Sequence, residues 1–216
     1  MALLDLFSSK NRILKHNAIS LAHEIIDTSI WLCLEIRTIL LIADEKLKNE
    51  HFLDEDDPDS MVGWPKMEFI KYILKNTTFL YMHIAHRGIL GNLDKEEQSI
   101  FMLEMDKTIF ELFLGTVDPV WRLDANPDLT LQKLNQEALD TMNFYGSYKL
   151  VEVYEEFATE LAHYLFYYEG KEGGYDEYSN PFFRMQFAMC AQNVINEKVI
   201  GDIKKYFDTK NKVSTK

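Results

Sequence analysis

The sequence predicts an all-α fold, a single-domain helical bundle of about six to seven helices. Only 9 glycines and 5 prolines occur among the 216 residues, which is too few for the turns of many short strands. Apolar residues recur at helical spacing along most of the chain, and strict alternation never persists. Hydrophobic residues make up 47% of the chain and aromatic residues 13%, which is enough to bury a sizeable core and excludes a disordered chain.

The first predicted helix covers about residues 11–48, with a kink near residues 27–29. Its first half is amphipathic, because apolar side chains recur at i, i+3, i+4 and i+7 on one face. These side chains are Leu14, Ala18, Leu21, Ala22 and Ile25. Its second half, residues 29–43, is apolar nearly all round, which predicts a helix buried in the middle of the bundle. Residues 51–65 are acidic and turn-rich, and they are predicted to form a loop.

Two further helices are predicted over about residues 66–90 and 95–114. Asp94 is predicted to cap the second of them, because Glu97 follows three residues later in the pattern of a capping box. Gly115 marks the end of that helix, since glycine is the residue that most readily terminates one.

The second half of the chain predicts three main helices, each introduced by a capping residue. Asn126–Pro127 begins a helix to about residue 145, after one short turn at residues 118–119. Ser147 caps the next helix, to about residue 168. Asn180–Pro181 begins the last one, to about residue 207, beyond a charged, Gly-rich loop at residues 169–180.

The chain is predicted to be one cytoplasmic domain. No Gly/Ser-rich linker divides it, so residues 1–208 form a single helical domain and residues 209–216 a flexible basic tail. Cys33 and Cys190 lie in apolar helical patterns, which predicts buried free thiols and excludes a disulfide scaffold. No segment has the pattern of a signal peptide or a transmembrane span.

The acidic excess is concentrated in two segments. Lys and Arg number 23 against 35 Asp and Glu, for a net charge of −12. Residues 44–59 contain eight acidic residues against two lysines, and residues 152–177 contain eight against one. Such a field repels phosphate backbones and anionic lipids, so no binding to nucleic acid or membrane is predicted. A basic protein partner is favoured, with solubility alone and a homo-oligomer as alternatives.

The candidate partner-binding residues are acidic side chains of these two segments. They are Asp54, Glu55, Asp56, Asp57 and Asp59 in the first segment, and Glu152, Glu156 and Glu160 in the second. The second set forms one helical stripe, opposite an apolar stripe that must face the core, so it is predicted to face solvent. Thirteen aromatic residues between positions 144 and 183 are interpreted mainly as core, with their excess of Tyr as a candidate binding surface.

A second set of polar residues indicates an alternative site. His16, His23 and Asp27 follow one stripe of the first helix, at a spacing that suits an oriented base or a metal ligand. Glu35 lies in the most apolar part of the chain, where a carboxylate is costly unless it is paired. It is predicted either to form an ion pair with another helix or to line a cleft. In the alternative, a cleft near these residues holds a metal ion or a small molecule.

The common catalytic and cofactor motifs are absent from the sequence. There is no glycine-rich phosphate loop, no G-x-S-x-G, no C-x-x-C and no H-E-x-x-H. The acidic loop fails as an EF-hand, because Met61 and Val62 stand where an oxygen ligand and a glycine are needed. Glu160-x-x-His163 has the spacing of di-iron bundles but no second copy. These motifs predict no metal site and leave the identity of any cofactor unknown, and His83 and His86 are interpreted as surface residues.

Together these observations favour a non-enzymatic protein-interaction module over an enzyme or carrier. An immunity protein, an inhibitor or an assembly factor would present acidic faces of this kind to a basic partner. A helical-bundle enzyme or carrier would instead contain a stoichiometric metal ion or a small-molecule ligand.

Overall fold

In the computed structural model, the described residues are 2–43, 67–115 and 130–167, together with the separate positions 185, 188, 189, 192 and 193. They form five helices: α1 (Ala2–Ala43), α2 (Met67–Asn92), α3 (Lys95–Phe113), α4 (Leu131–Gly146) and α5 (Leu150–Tyr167). These residues contain no strand, which confirms the all-α prediction for them. The predicted count of six to seven helices is not confirmed. The turn at residues 118–119, most of the last predicted helix and the basic tail lie outside the described residues.

The central helix of the described bundle is α2. It packs against α1, α3 and α4, and all its side chains from residue 77 to residue 85 are buried. The second half of α1, residues 29–43, was predicted to be buried in the middle of the bundle, and this is only partly so for the side chains described there. Ser29, Leu32 and Cys33 are buried. Trp31 and Leu34 are each 38% exposed. Because α1 packs against α2 and α3, part of its circumference remains at the surface.

The core is a single cluster to which all five helices contribute. The five side chains predicted to form the inner face of α1, from Leu14 to Ile25, are buried. Phe79 of α2 and Phe113 of α3 meet edge to face, with ring centroids 6.2 Å apart and an interplanar angle of 65°. The Cys33 thiol is free and buried as predicted, and burial raises its pKa to about 12. Cys190 lies outside the described residues.

The start of α3 is held by a capping box, as the sequence predicts. Asp94 Oδ1 accepts from the Glu97 backbone N–H at 3.0 Å, and the Asp94 N–H donates to Glu97 Oε2 at 3.0 Å. The sequence analysis missed a third contact, in which Lys10 Nζ of α1 lies 2.7 Å from Glu97 Oε1. This hydrogen bond raises the pKa of Lys10. The buried Glu97 carboxylate thus links the first turn of α3 to α1.

We expect Glu97→Ala to lower the free energy of unfolding by about 2 kcal/mol, because it removes both the reciprocal cap and the charged hydrogen bond to Lys10. The matched control is Glu96→Ala, which truncates the exposed neighbouring carboxylate and should change stability by less than about 0.5 kcal/mol. Urea denaturation of the three proteins measures both effects. Equal losses in the two variants would show that the link between α1 and α3 contributes nothing.

The start of α4 differs from its prediction. Thr130 has an extended backbone, and its hydroxyl accepts from the Lys133 N–H at 3.2 Å. The helix therefore begins at Leu131, because the threonine hydroxyl satisfies a backbone donor of the first turn. Asn126 and Pro127, where the helix was predicted to begin, lie outside the described residues. Just after the C-terminal end of α3, Gly115 adopts a φ of 67°. This left-handed backbone conformation fits its predicted role in ending that helix.

Ser147 does not cap α5, which corrects another prediction. Its hydroxyl donates to the Phe144 carbonyl at 2.8 Å and so closes the end of α4. The capping role at the start of α5 falls to Glu152, whose carboxylate accepts from the Lys149 N–H at 2.9 Å. A carboxylate in the first turn is also favoured by the helix dipole.

Candidate functional site

An open cleft of about 260 Å³ lies between α2, α4 and α5. Its lining combines four aromatic rings, two carboxylates, an amide and a hydroxyl. Among the described residues, the lining consists of Tyr72 and Asn76 from α2, Asp140, Thr141, Phe144 and Tyr145 from α4, and Phe157 and Glu160 from α5. Pockets for drug-sized ligands measure roughly 300–1,000 Å³, so this cleft has room for a smaller group.

Two consecutive residues of α4 form different parts of this cleft. Successive side chains on a helix project about 100° apart, so Tyr145 is buried while Phe144 is 40% exposed. Their rings meet edge to face at a centroid distance of 5.1 Å. Phe144 also contacts the Tyr148 ring at 5.4 Å. These contacts pack the partly exposed Phe144 ring, which lines the cleft, against two neighbouring rings.

The polar side chains of the cleft offer mainly hydrogen-bond acceptors. Asn76 Nδ2 donates to the Tyr72 carbonyl at 2.8 Å, which leaves the amide oxygen of Asn76 available. Thr141 donates its hydroxyl proton to a carbonyl of its own helix at 2.9 Å and keeps its lone pairs. Asp140 uses one carboxylate oxygen to accept from Gln136 Nε2 at 2.9 Å. A ligand with several donors would therefore be satisfied in the cleft better than one with several acceptors.

The carboxylates give the cleft a negative field. Burial, together with the Glu160 carboxylate, raises the pKa of Tyr72 to about 12. Burial and the same carboxylate also raise the pKa of Tyr145. Both phenols are therefore neutral at physiological pH. The field that disfavours their ionisation would stabilise a cation in the same space.

Basic residues in this region are already engaged with other groups. Lys75 Nζ of α2 lies 2.8 Å from a carboxylate oxygen of Glu137 on α4. Arg87 Nη2 donates to the Tyr148 carbonyl at 3.0 Å. None of the described lining residues is basic. With the carboxylates of Asp140 and Glu160, the described lining therefore carries a net negative charge.

The structure places three of the predicted partner-binding residues along α5. Glu152 and Glu160 are exposed and Glu156 is half-buried. On the opposite stripe, the three side chains that the structure describes, Tyr154, Phe157 and Ala158, are buried as the helical spacing predicts. Glu160 reaches the cleft, whereas Glu152 is held at the start of α5 by Lys149. The other five candidates, Asp54, Glu55, Asp56, Asp57 and Asp59, lie outside the described residues.

The residues of the alternative site lie on α1, and none of them lines this cleft. His16, His23 and Asp27 are exposed. Glu35 is half-buried, and its predicted ion pair with another helix stays a prediction. Within the described ranges, no three His, Cys, Asp or Glu side chains come together in a way that could hold a metal ion. A metal or small-molecule site at these residues stays a prediction.

His83 is buried, not at the surface as the sequence analysis interpreted it. It is 6% exposed, and its ring packs against Tyr145 at a centroid distance of 6.1 Å. Burial, followed by the charges of Arg87 and His86, lowers the pKa of His83 to about 4. A neutral imidazole thus supports the inner wall of the cleft. His86 is half-buried, with its Nε2 2.9 Å from Asp106 Oδ1 of α3.

The sequence analysis missed Tyr72, Asn76 and Asp140 as site residues. Each belongs to a common residue type on an ordinary amphipathic helix, and only the packing of α2 against α4 brings them together. The excess of aromatic residues from position 144 onward was a signal for Phe144, Tyr145 and Phe157. The aromatic excess did not indicate that α2 would supply the remaining residues of the lining.

None of the helices within the described ranges is long and apolar enough to cross a membrane. Comparison of the chain with protein-family models, curated proteins and solved structures finds no match. Function is therefore inferred from the geometry and charge of the cleft.

Proposed function

We propose that the protein is a non-enzymatic, cytoplasmic interaction module that binds a basic protein partner at this cleft and along the acidic stripe of α5. The observation that carries the proposal is the meeting of Asp140 and Glu160 with four aromatic rings, in a lining whose described members include no basic residue. An inhibitor, an immunity protein or an assembly factor would use such a surface.

The size of the cleft favours a protein partner that inserts one side chain. About 260 Å³ is small for a nucleotide or a prosthetic group, and the cleft is open to solvent, with Phe144 of its lining 40% exposed. The acidic stripe continues beyond the cleft through Glu156. A negative surface of this kind steers a basic partner and fixes its orientation, while buried aromatic side chains supply contact area.

The polar groups of the cleft suit binding better than catalysis. Nucleophilic catalysis needs a hydroxyl or thiol within hydrogen-bond reach of a general base. The Thr141 hydroxyl instead donates to a carbonyl of its own helix. No histidine or cysteine belongs to the described lining. The buried free thiol of Cys33 agrees with the proposed reducing compartment.

Binding of a hexa-arginine peptide, measured by titration calorimetry, tests this proposal. We expect saturable binding at one site that weakens as salt is added, because exposed charges attract the peptide. We expect Glu160→Lys to weaken binding at least about tenfold, since it places a positive charge where the peptide's cation would lie.

The matched control for this experiment is Asp27→Lys. It changes the net charge by the same amount at an exposed position on α1, and it should alter the dissociation constant by less than about twofold because salt screens remote charges. Equal weakening by both variants would reduce the interaction to overall charge attraction and contradict the proposal. Absence of saturable binding to the parent protein would also contradict it.

A further inference from the structure

The groups that line the cleft fit one cation better than the others. We infer that the cleft is selective for the guanidinium group of an arginine side chain carried by the partner. This inference rests on the proposed function and specifies the ligand of the same cleft.

The aromatic lining favours a planar, weakly hydrated cation. Guanidinium stacks on aromatic faces and loses its water more readily than an ammonium group does. Phe144 contributes a partly exposed ring to the lining, and this ring packs edge to face against Tyr145. Tyr72 and Phe157 add rings from α2 and α5. A lysine ammonium entering between these rings would give up more hydration for the same attraction.

The acceptors come from three helices, which favours a donor that points in several directions. Asp140 belongs to α4, Glu160 to α5 and Asn76 to α2. The amide oxygen of Asn76 is available, because the amide nitrogen already donates to its own helix. Guanidinium carries five N–H donors in a fixed plane, whereas an ammonium presents three from a single atom. A planar fork can therefore reach acceptors on more than one helix.

The same groups disfavour anionic and neutral ligands. The carboxylates of Asp140 and Glu160 repel a phosphate or a carboxylate. None of the described lining residues is basic, so no positive charge there offsets this repulsion. A neutral ligand of guanidinium shape would make similar stacking contacts but would lose the attraction to the two carboxylates.

Three small probes test the selectivity directly: the amides of N-acetyl-arginine, N-acetyl-lysine and N-acetyl-citrulline. Citrulline matches arginine in shape but carries no charge. We expect NMR titrations to give the arginine probe a dissociation constant on the order of 1 mM, as suits so small a ligand. We expect lysine to bind at least about fivefold more weakly, and citrulline to cause no saturable shift.

Two variants and a matched control locate the binding. Phe144→Ala removes the exposed ring, and Asp140→Asn removes one charge while keeping the shape. We expect each to weaken binding of the arginine probe at least about fivefold. Leu139→Ala truncates an exposed neighbour on α4 that is not among the lining residues, and it should leave binding unchanged. Melting temperatures of all three variants are measured beside the titrations, so that a loss of folding is recognised.

The outcomes separate this inference from the proposed function. Equal affinity for arginine and lysine, saturable binding of citrulline, or no binding of any probe would overturn guanidinium selectivity. Cleft variants that bind the arginine probe as well as the parent would overturn it too. In each case, a hexa-arginine peptide that still responds to Glu160→Lys and not to Asp27→Lys leaves the proposed function in place. Failure of that peptide to bind the parent overturns the proposed function itself.

Discussion

Phe113→Ala is expected to lower the free energy of unfolding by about 3–5 kcal/mol, the largest loss for any substitution considered. Phe113 is fully buried, and its ring meets Phe79 edge to face at 6.2 Å. The substitution removes this contact between α3 and the central α2 and leaves a cavity that the helices fill only in part. At about 2–4 °C per kcal/mol, the melting temperature should fall by roughly 6–20 °C.

Phe144→Ala is the control for this experiment, because it makes the same truncation at a ring that is 40% exposed. We expect it to cost less than about 1.5 kcal/mol, since its side chain removes less apolar area from water on folding. Thermal unfolding followed by circular dichroism compares the two variants with the parent. Similar losses would mean that the Phe144 edge of the cleft is structural, and would weaken its assignment to binding.

The second large effect is a loss of stability in mild acid that depends on His83. The pKa of this imidazole is lowered to about 4, from an ordinary value of 6.5, chiefly because it is buried. Between these two pH values, the unfolded chain binds a proton at His83 and the folded chain does not. The contribution of His83 to stability is therefore complete above pH 6.5 and is lost as the pH falls toward 4. A shift of this size corresponds to roughly 3 kcal/mol.

The variant His83→Phe isolates this effect. It keeps a ring against Tyr145 and removes a nitrogen that has no hydrogen-bond partner among the described residues. We expect the variant to be at least as stable as the parent at pH 7, and to lose less stability between pH 7 and pH 4. The control is His23→Gln, which removes an exposed imidazole from α1 and should retain the acid-induced loss of the parent. Parallel stability curves for the parent and His83→Phe would contradict the account of His83.

Local patterns in the sequence predicted the elements that depend on neighbouring residues. The capping box of Asp94 and Glu97 forms as predicted, because both of its hydrogen bonds join residues three apart. The inner face of α1 and the described part of the apolar stripe of α5, from Tyr154 to Ala158, also follow from helical spacing alone. Where two local signals competed, the prediction was wrong. Serine is a common N-cap residue, but the Ser147 hydroxyl donates to the Phe144 carbonyl at the C-terminal end of α4 and does not cap the N-terminus of α5.

Features that depend on which helices meet could not be predicted. The apolar second half of α1 pointed to the middle of the bundle, yet the central helix is α2, whose buried residues include Thr77, Thr78 and His83. Of these, Thr78 donates to the Leu74 carbonyl at 2.7 Å. Thr77 Oγ1 and His83 Nε2 are buried with no hydrogen-bond partner among the described residues. The cleft could not be predicted for the same reason. The aromatic residues of α4 and α5 were recognised as a candidate binding surface, but the contribution of Tyr72 and Asn76 from α2 was not.

The central claim is that the cleft between α2, α4 and α5 binds a basic side chain of a partner protein. The most direct test is an NMR titration of the protein with the hexa-arginine peptide, followed at assigned backbone amides. The expected result is saturable shift changes that are largest around the residues that line the cleft, including Asn76, Asp140 and Thr141. Changes centred instead on the α1 stripe of His16, His23 and Asp27, or changes that never saturate, would contradict it.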